Sequence, residues 1–239
     1  MMIKFDTYSL KARIYPCIVV LLPCFLLAIL YVTNVEVYYH YFTSFAALGV
    51  SSFLLAQIGR DRGKKKEKVL FEYWGGKPTS MILRHSDEHL DVHTKKRYHT
   101  KLEQIIPEIK IPTHDEEQEN LQAADTIYES CTKYLISKTR DVNKYPLLFK
   151  ENINYGFRRN LWGMKIWALS IVIICLFIHS LIATEKYTTI ETVNVKDWGI
   201  LIVLTLFILF WLITVNREWI KIAAYAYAER LHETLNEQI

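Results

Sequence analysis

The sequence predicts an all-α integral membrane protein, with four transmembrane helices and a mostly helical cytoplasmic domain inserted between the second and third. Three observations predict it. The chain of 239 residues is 51% hydrophobic, yet its apolar residues gather into four blocks of 18 to 20, separated by charged sequence. Lysine and arginine are spread unevenly about those blocks. Within the longest charged stretch, apolar positions recur at helical rather than strand spacing. A hydrocarbon core of about 30 Å takes roughly 20 apolar helical residues, so each block can cross once. A compact soluble domain and a disordered chain are both disfavoured, and no small-residue cleavage site marks the first block as a secretory leader.

The spans fall at Ile14–Thr33, Tyr39–Ile58, Ile166–Thr184 and Trp198–Val215. Residues 34–38 make the first pair a hairpin, and residues 185–197 connect the second pair. Lys4, Lys11 and Arg13 precede the first span. The first connection has no base, the second has only Lys186 and Lys196, and residues 59–163 carry 20. The positive-inside bias then puts both termini and the middle segment in the cytoplasm, which for a bacterial chain means the inner membrane. Four divisions result: 1–58, with the first hairpin; 59–163, the cytoplasmic domain; 164–215, the second hairpin; and 216–239, an amphipathic helix. Cys17, Cys24 and Cys175 lie in spans and Cys131 on a cytoplasmic helix, without zinc-site spacing, so they read as small apolar residues.

The cytoplasmic segment opens with GRDRGKKKEK, whose six bases against Asp61 and Glu67 equal the formal +4 of the whole chain. Two readings stand for it: a topology signal that binds anionic headgroups, or an anion site in which Gly59 and Gly63 let backbone approach a phosphate. WGGKPTS (74–80) is a turn opening a short helix, with Lys77 near mobile backbone. His85, His89 and His93 punctuate a polar stretch that reads as a surface turn or a metal site, although no strong zinc signature is present. Val69–Trp74 and Glu108–Ile111 suit short strands. Helices follow at Lys95–Ile106 and from a Thr113–Glu116 capping box to about Lys138. The acids of 113–141 are expected on a solvated face or opposite the basic decapeptide. Pro146 can begin a helix, Arg158, Arg159, Trp162 and Lys165 suit a membrane interface, and Gly156 and Gly163 are joints between domain and span. From Asn216, Trp219, Ala223, Tyr227, Leu231 and Leu235 form one row, as a packing or subunit-contact helix does.

No catalytic constellation is assembled, so no catalytic residue, cofactor or resident metal is expected and the chain reads as a non-enzyme. The spans hold no charged residue at depth, which disfavours an ion-coupled transporter. His179 reads as a satisfied interhelical bond. Span two is the least apolar: Ser44, Ala47 and Ser51 share a face that suits close packing or, in an oligomer, a pore lining, with Leu55 as an apolar constriction.

DRGKKKE, WGGKPT, LRHSD, KKRYH and NYGFRRNLWG, in this order after a membrane hairpin, resemble bacterial membrane effectors of nucleotidyltransferase-linked anti-phage modules (Hailong-like). The resemblance covers about residues 59–165 and the flanking spans. It implies a homo-oligomer, a tetramer by that resemblance, whose channel answers to a nucleotide or single-stranded oligonucleotide, with a nucleotidyltransferase encoded nearby and abortive infection as the outcome. Local charge and glycine, rather than the resemblance, point to Arg60, Arg62, Lys64, Lys65, Lys66, Lys77, Arg84 and Arg97 as the anion's ligands. Ser44, Ala47, Ser51 and Leu55 line or gate the pore, and Gly59 and Gly63 join the two. The alternative is a non-conducting scaffold that docks a soluble partner on residues 59–163. Membrane lipid is a partner in either case.

Overall fold

A computed structural model describes residues 7–31, 37–187 and 194–237, with only the backbone described over 37–55. It is all-helical, with no strand among the described residues. A π-helical turn at Ser9–Ile14 leads into α1 (Tyr15–Tyr31). Then come α2 (Val37–Trp74), α3 (Pro78–Met81), α4 (Val92–Ile105), α5 (His114–Glu119), α6 (Leu121–Lys138), α7 (Pro146–Lys186), α8 (Val195–Leu209) and α9 (Arg217–Glu233). The contacts separate two compact units: Met1–Glu67 with Gly156–Trp219, and Lys68–Tyr155 with Ile220–Ile239.

Among the described residues three helices are long and apolar enough to cross a membrane: Ser9–Tyr31, Pro146–Lys186, which enters the first unit at Gly156, and Val195–Thr214. The fourth expected span lies on α2, and its side chains over 39–55 fall outside the described residues. Much of α7 is apolar and outward-facing, with Ile166, Ile173 and Phe177 at 63%, 55% and 63% exposure. Such a stripe suits lipid contact, since a water-facing surface would carry charge there. The inward face holds Ala168, Val172 and Cys175 against Leu204 and Trp211.

Small residues set the closest approach in this unit. A Cβ on Gly163 would stand 2.7 Å from the backbone nitrogen of Gly63, so α2 and α7 cross there with their backbones almost in contact. At the expected joints Gly59, Gly63, Gly156 and Gly163 both helices run unbroken, and a Cβ at each would stand within 2.8 Å of a neighbour. Asn160 donates to the Ala12 carbonyl at 2.7 Å, and Arg159 pairs with Glu67 at 3.0 Å. These contacts tie 59–67 and 156–163 to the first unit, whereas the sequence reading gave both to the cytoplasmic domain. His179, fully buried, accepts from the Tyr31 hydroxyl at Nδ1 and donates from Nε2 to the Asp197 carbonyl at 3.1 Å, the satisfied interhelical bond expected.

The second unit packs α4, α6 and α9 around Tyr98, Leu102, Tyr128, Leu135 and Leu231. Asp91 caps α4 and Thr113 with Glu116 forms the expected capping box on α5. The single helix expected from Thr113 to Lys138 is two, because Asn120 leaves helical geometry and its side chain accepts from Ala123 N to start α6. The strand expected at 69–74 is the end of α2, and 108–111 is irregular. The C-terminal helix is part of this core: Ala228, Leu231 and Leu235 are buried in it, and the fully buried His232 bonds the Thr79 carbonyl through Nε2 at 2.7 Å.

Candidate functional site

The site begins where α2 ends. Gly75 takes φ +84, its N–H donating to Glu72 O and that of Gly76 to Phe71 O. This pair of bonds is a Schellman cap, which needs a residue of positive φ, and glycine adopts it without strain. Lys77 is extended and Pro78 opens α3. A Cβ on Gly76 would meet Arg84 Nη2 at 2.6 Å, so the second glycine gives the guanidinium room.

Arg84 uses that room to donate from Nη2 to Gly75 O at 2.9 Å, and it forks onto Asp125 through Nε and Nη2 at 2.7 and 2.6 Å. Its side chain is largely buried, and the Asp125 bond raises its pKa against the opposing effect of burial. One turn along α6, Glu129 takes Lys77 and Lys133, and the Lys77 bond holds its carboxyl below the usual range. Thr132 Oγ1 donates to Thr79 O at 3.0 Å, so α6 and the turn are fastened along three successive side chains.

Between them lies an open cavity of about 520 Å³, lined by Phe71, Glu72, Lys77, Arg84, Asp125 and Glu129 with the two glycines and Ser80. Two cations and three carboxylates meet there, so an anion entering it must displace a carboxylate from a cation. A hydrogen-bonding ligand with an apolar face finds Phe71 beside both donors and acceptors.

A second polar centre lies under this turn. Glu117, 2% exposed, accepts from the backbone N–H of His85 and Ser86, the Ser86 hydroxyl and the Tyr128 hydroxyl at 2.8, 3.0, 2.8 and 2.7 Å. Burial alone would raise its pKa; the four donors outweigh it, Tyr128 first, and lower it. Burial and then the Glu117 bond push the Tyr128 hydroxyl pKa up. The sequence reading put the acids of 113–141 on a solvated face or opposite the decapeptide. Glu117, Asp125 and Glu129 instead serve the second unit's own loop.

The eight expected anion ligands divide between the two units. Lys77 and Arg84 share the cavity, already paired. Arg97 is exposed on α4, its guanidinium donating to Thr94 Oγ1 and lying over Tyr98. Arg60, Arg62, Lys64, Lys65 and Lys66 belong to the first unit, on helical rather than loop backbone, so Gly59 and Gly63 offer no phosphate cradle. Arg62 lies over the Trp167 ring at 4.1 Å and Lys66 over Trp162 at 5.1 Å. Ser44, Ala47, Ser51 and Leu55 are on α2, and their side chains lie outside the described residues.

Of the histidine stretch, His85 and His89 lie on turn and bend backbone, and His93 is in the first turn of α4. His85 Nε2 meets Pro112 O at 2.9 Å, His89 pairs with Glu229, and His93 is exposed. Among the described residues no three His, Cys, Asp or Glu side chains converge to hold a metal ion. Sequence reasoning missed Asp125 and Glu129 as partners of the WGGKPT turn. Their one available signal was the i, i+4 spacing of Asp125, Glu129 and Lys133, which reads equally as a solvated helix face. Comparison with family models, curated proteins and solved structures finds no match.

Proposed function

We propose that the chain is a non-enzymatic, oligomeric membrane channel or membrane-disrupting effector of bacterial anti-phage defence, controlled by a nucleotide or oligonucleotide taken up by the second unit. The observation that carries this reading is that the described residues combine three bilayer-length apolar helices with a separately packed unit whose cavity presents Lys77 and Arg84. The resemblance of its sequence motifs to anti-phage effectors supplies the biological setting.

The cavity suggests how a ligand acts. A phosphate that takes Arg84 and Lys77 releases Asp125 and Glu129, and with them the hold of the glycine turn on α6. A ligand shifts the protein only by binding one arrangement more tightly, and this exchange of partners supplies the difference. In an oligomer, the weakly polar face of α2 at Ser44, Ala47 and Ser51 is then the expected pore lining, with both termini cytoplasmic. A non-conducting scaffold is favoured by one observation: both cavity cations are already neutralised.

Purified protein in dye-loaded liposomes separates the two. Dye or ion release on adding a cyclic or linear oligonucleotide, lost in Arg84→Gln, supports the effector. Absence of release with every nucleotide tested, together with capture of a soluble protein by residues 59–163, supports the scaffold.

A further inference from the structure

We infer that Arg62 and Lys66, seated on Trp167 and Trp162, hold the headgroup of an anionic glycerophospholipid whose acyl chain lies along the exposed apolar face of α7. The inference rests on the first unit lying in a bilayer and is independent of any nucleotide site.

The four groups form one surface. Arg62 and Lys66 are one helical turn apart on α2, and Trp162 and Trp167 lie just over one turn apart on α7. The helices run antiparallel past the Gly63–Gly163 contact, so the guanidinium of Arg62 covers Trp167 at 4.1 Å while Lys66 Nζ covers Trp162 at 5.1 Å. Tryptophan and basic residues together mark the headgroup level of membrane helices.

Two like charges held this close call for an anion. Burial, and then the Arg62 charge, lower the pKa of Lys66. Among the described residues neither cation has a carboxylate partner, because Glu67 is committed to Arg159 at 3.0 Å and Lys64 at 3.5 Å. The unit's other cations beside tryptophan or a helix end differ. Arg158 covers Trp219 at 4.7 Å but also donates to its carbonyl at 2.6 Å, and Lys165 caps the Val215 carbonyl at 2.8 Å. The protein satisfies those two and leaves Arg62 and Lys66 open.

The surface continues into an apolar track. Ile166 is one turn beyond Trp162, and Ile173 and Phe177 follow on the same face, all more than half exposed. Ile58 adds an exposed apolar side chain one turn before Arg62. A soluble phosphate has no use for that track; a diacyl lipid fits both parts.

The test uses the full chain in neutral maltoside detergent, titrated with dioleoylphosphatidylglycerol or dioleoylphosphatidylcholine and read by native mass spectrometry. The native chain is expected to prefer the glycerol lipid by about tenfold or more, and Arg62→Gln/Lys66→Gln to retain at most about a twofold preference. Lys64→Gln/Lys65→Gln should keep the preference, and the swap Arg62→Lys/Lys66→Arg, which preserves both charges, should keep it too. On the unmodified chain, brominated phosphatidylglycerol should quench tryptophan more than brominated phosphatidylcholine does. An unaltered preference in a helical Arg62→Gln/Lys66→Gln protein overturns the inference. Equal quenching by the two brominated lipids, or displacement of the lipid by millimolar inorganic phosphate or AMP, overturns it as well. Loss of ligand-triggered release in liposomes would touch the proposed channel and leave this lipid seat standing.

Discussion

At the cavity of the second unit each cation meets an acid: Arg84 forks onto Asp125 and Lys77 reaches Glu129. On α2 of the first unit, Arg62 and Lys66 meet tryptophan rings and no carboxylate among the described residues. The difference follows from the surroundings. In a unit folded in water, a largely buried guanidinium must bring its own counterion, since an unpaired charge loses more hydration than packing returns. At a bilayer surface the lipid supplies the anion, and an aromatic ring holds the cation in place meanwhile. The two units also pack differently. The second has a mixed core organised by a buried carboxylate; the first uses small residues to bring helices together.

The largest test of this contrast is Glu117. Replacing it by alanine leaves the Tyr128 and Ser86 hydroxyls and two backbone N–H groups of the loop unpaired in a buried place. The second unit should lose about 3 kcal/mol or more. Amide hydrogen exchange should then rise over α4 to α6 and stay unchanged over α8. Loss of protection in both units together would mean that they are not separately organised.

Acid should act in the same sense through His232. Unfolded, it takes a proton near 6.5; buried, only at about 4. Over that window the unfolded chain binds the extra proton, so stability is full above 6.5 and falls as the pH drops through 4, by about 3 kcal/mol. Burial lowers the pKa of His99 as well and adds to the loss in the same direction. Thermal unfolding followed by circular dichroism should show the decline, and His232→Gln should flatten it.

Gly163 probes the first unit. Alanine there meets the Gly63 backbone, which cannot swing aside, whereas alanine at Gly59 meets the flexible end of Met164 at 2.5 Å. Gly163→Ala should destabilise by about 1–3 kcal/mol in a dodecyl sulfate titration, and Gly59→Ala by less. The smallest effect belongs to Lys66→Gln, which relieves repulsion in neutral detergent. Its stability there should stay within about 0.5 kcal/mol of the native chain or rise slightly. A clear destabilisation in that detergent would show that the internal contacts of Lys66 outweigh its repulsion with Arg62 and would contradict the open seat.

The helices were readable because their signals are local: apolar length for the spans, Thr113–Glu116 for a capping box, Pro146 for a start. The satisfied state of His179 was readable from its isolation in an apolar stretch. The glycines were ambiguous. A glycine in sequence reads equally as a joint or as a contact, and only the neighbouring helix distinguishes them, as Gly163 against Gly63 does. Pairing across long separations was hidden for the same reason. Nothing near Arg84 in sequence announces Asp125, and Glu117 looks like any acid in the first turn of a helix. The basic decapeptide read as one feature because it is continuous in sequence. Helical geometry distributes it around α2, sending Arg62 and Lys66 to the tryptophans while Lys64 stays 71% exposed at its side chain.

The contrast between the units follows from the proposed placement of the first in a bilayer and the second in water. Nitroxide labels placed singly at Ile166, Ile173 and Phe177 on α7, and at Thr126 on α6, test this in reconstituted membranes, because oxygen concentrates in lipid and a nickel chelate in water. The account predicts that collisions with oxygen rise from Ile166 to Ile173 and Phe177 while collisions with nickel fall, and that Thr126 shows the reverse balance. Nickel accessibility at Ile173 and Phe177 equal to that at Thr126 would contradict it.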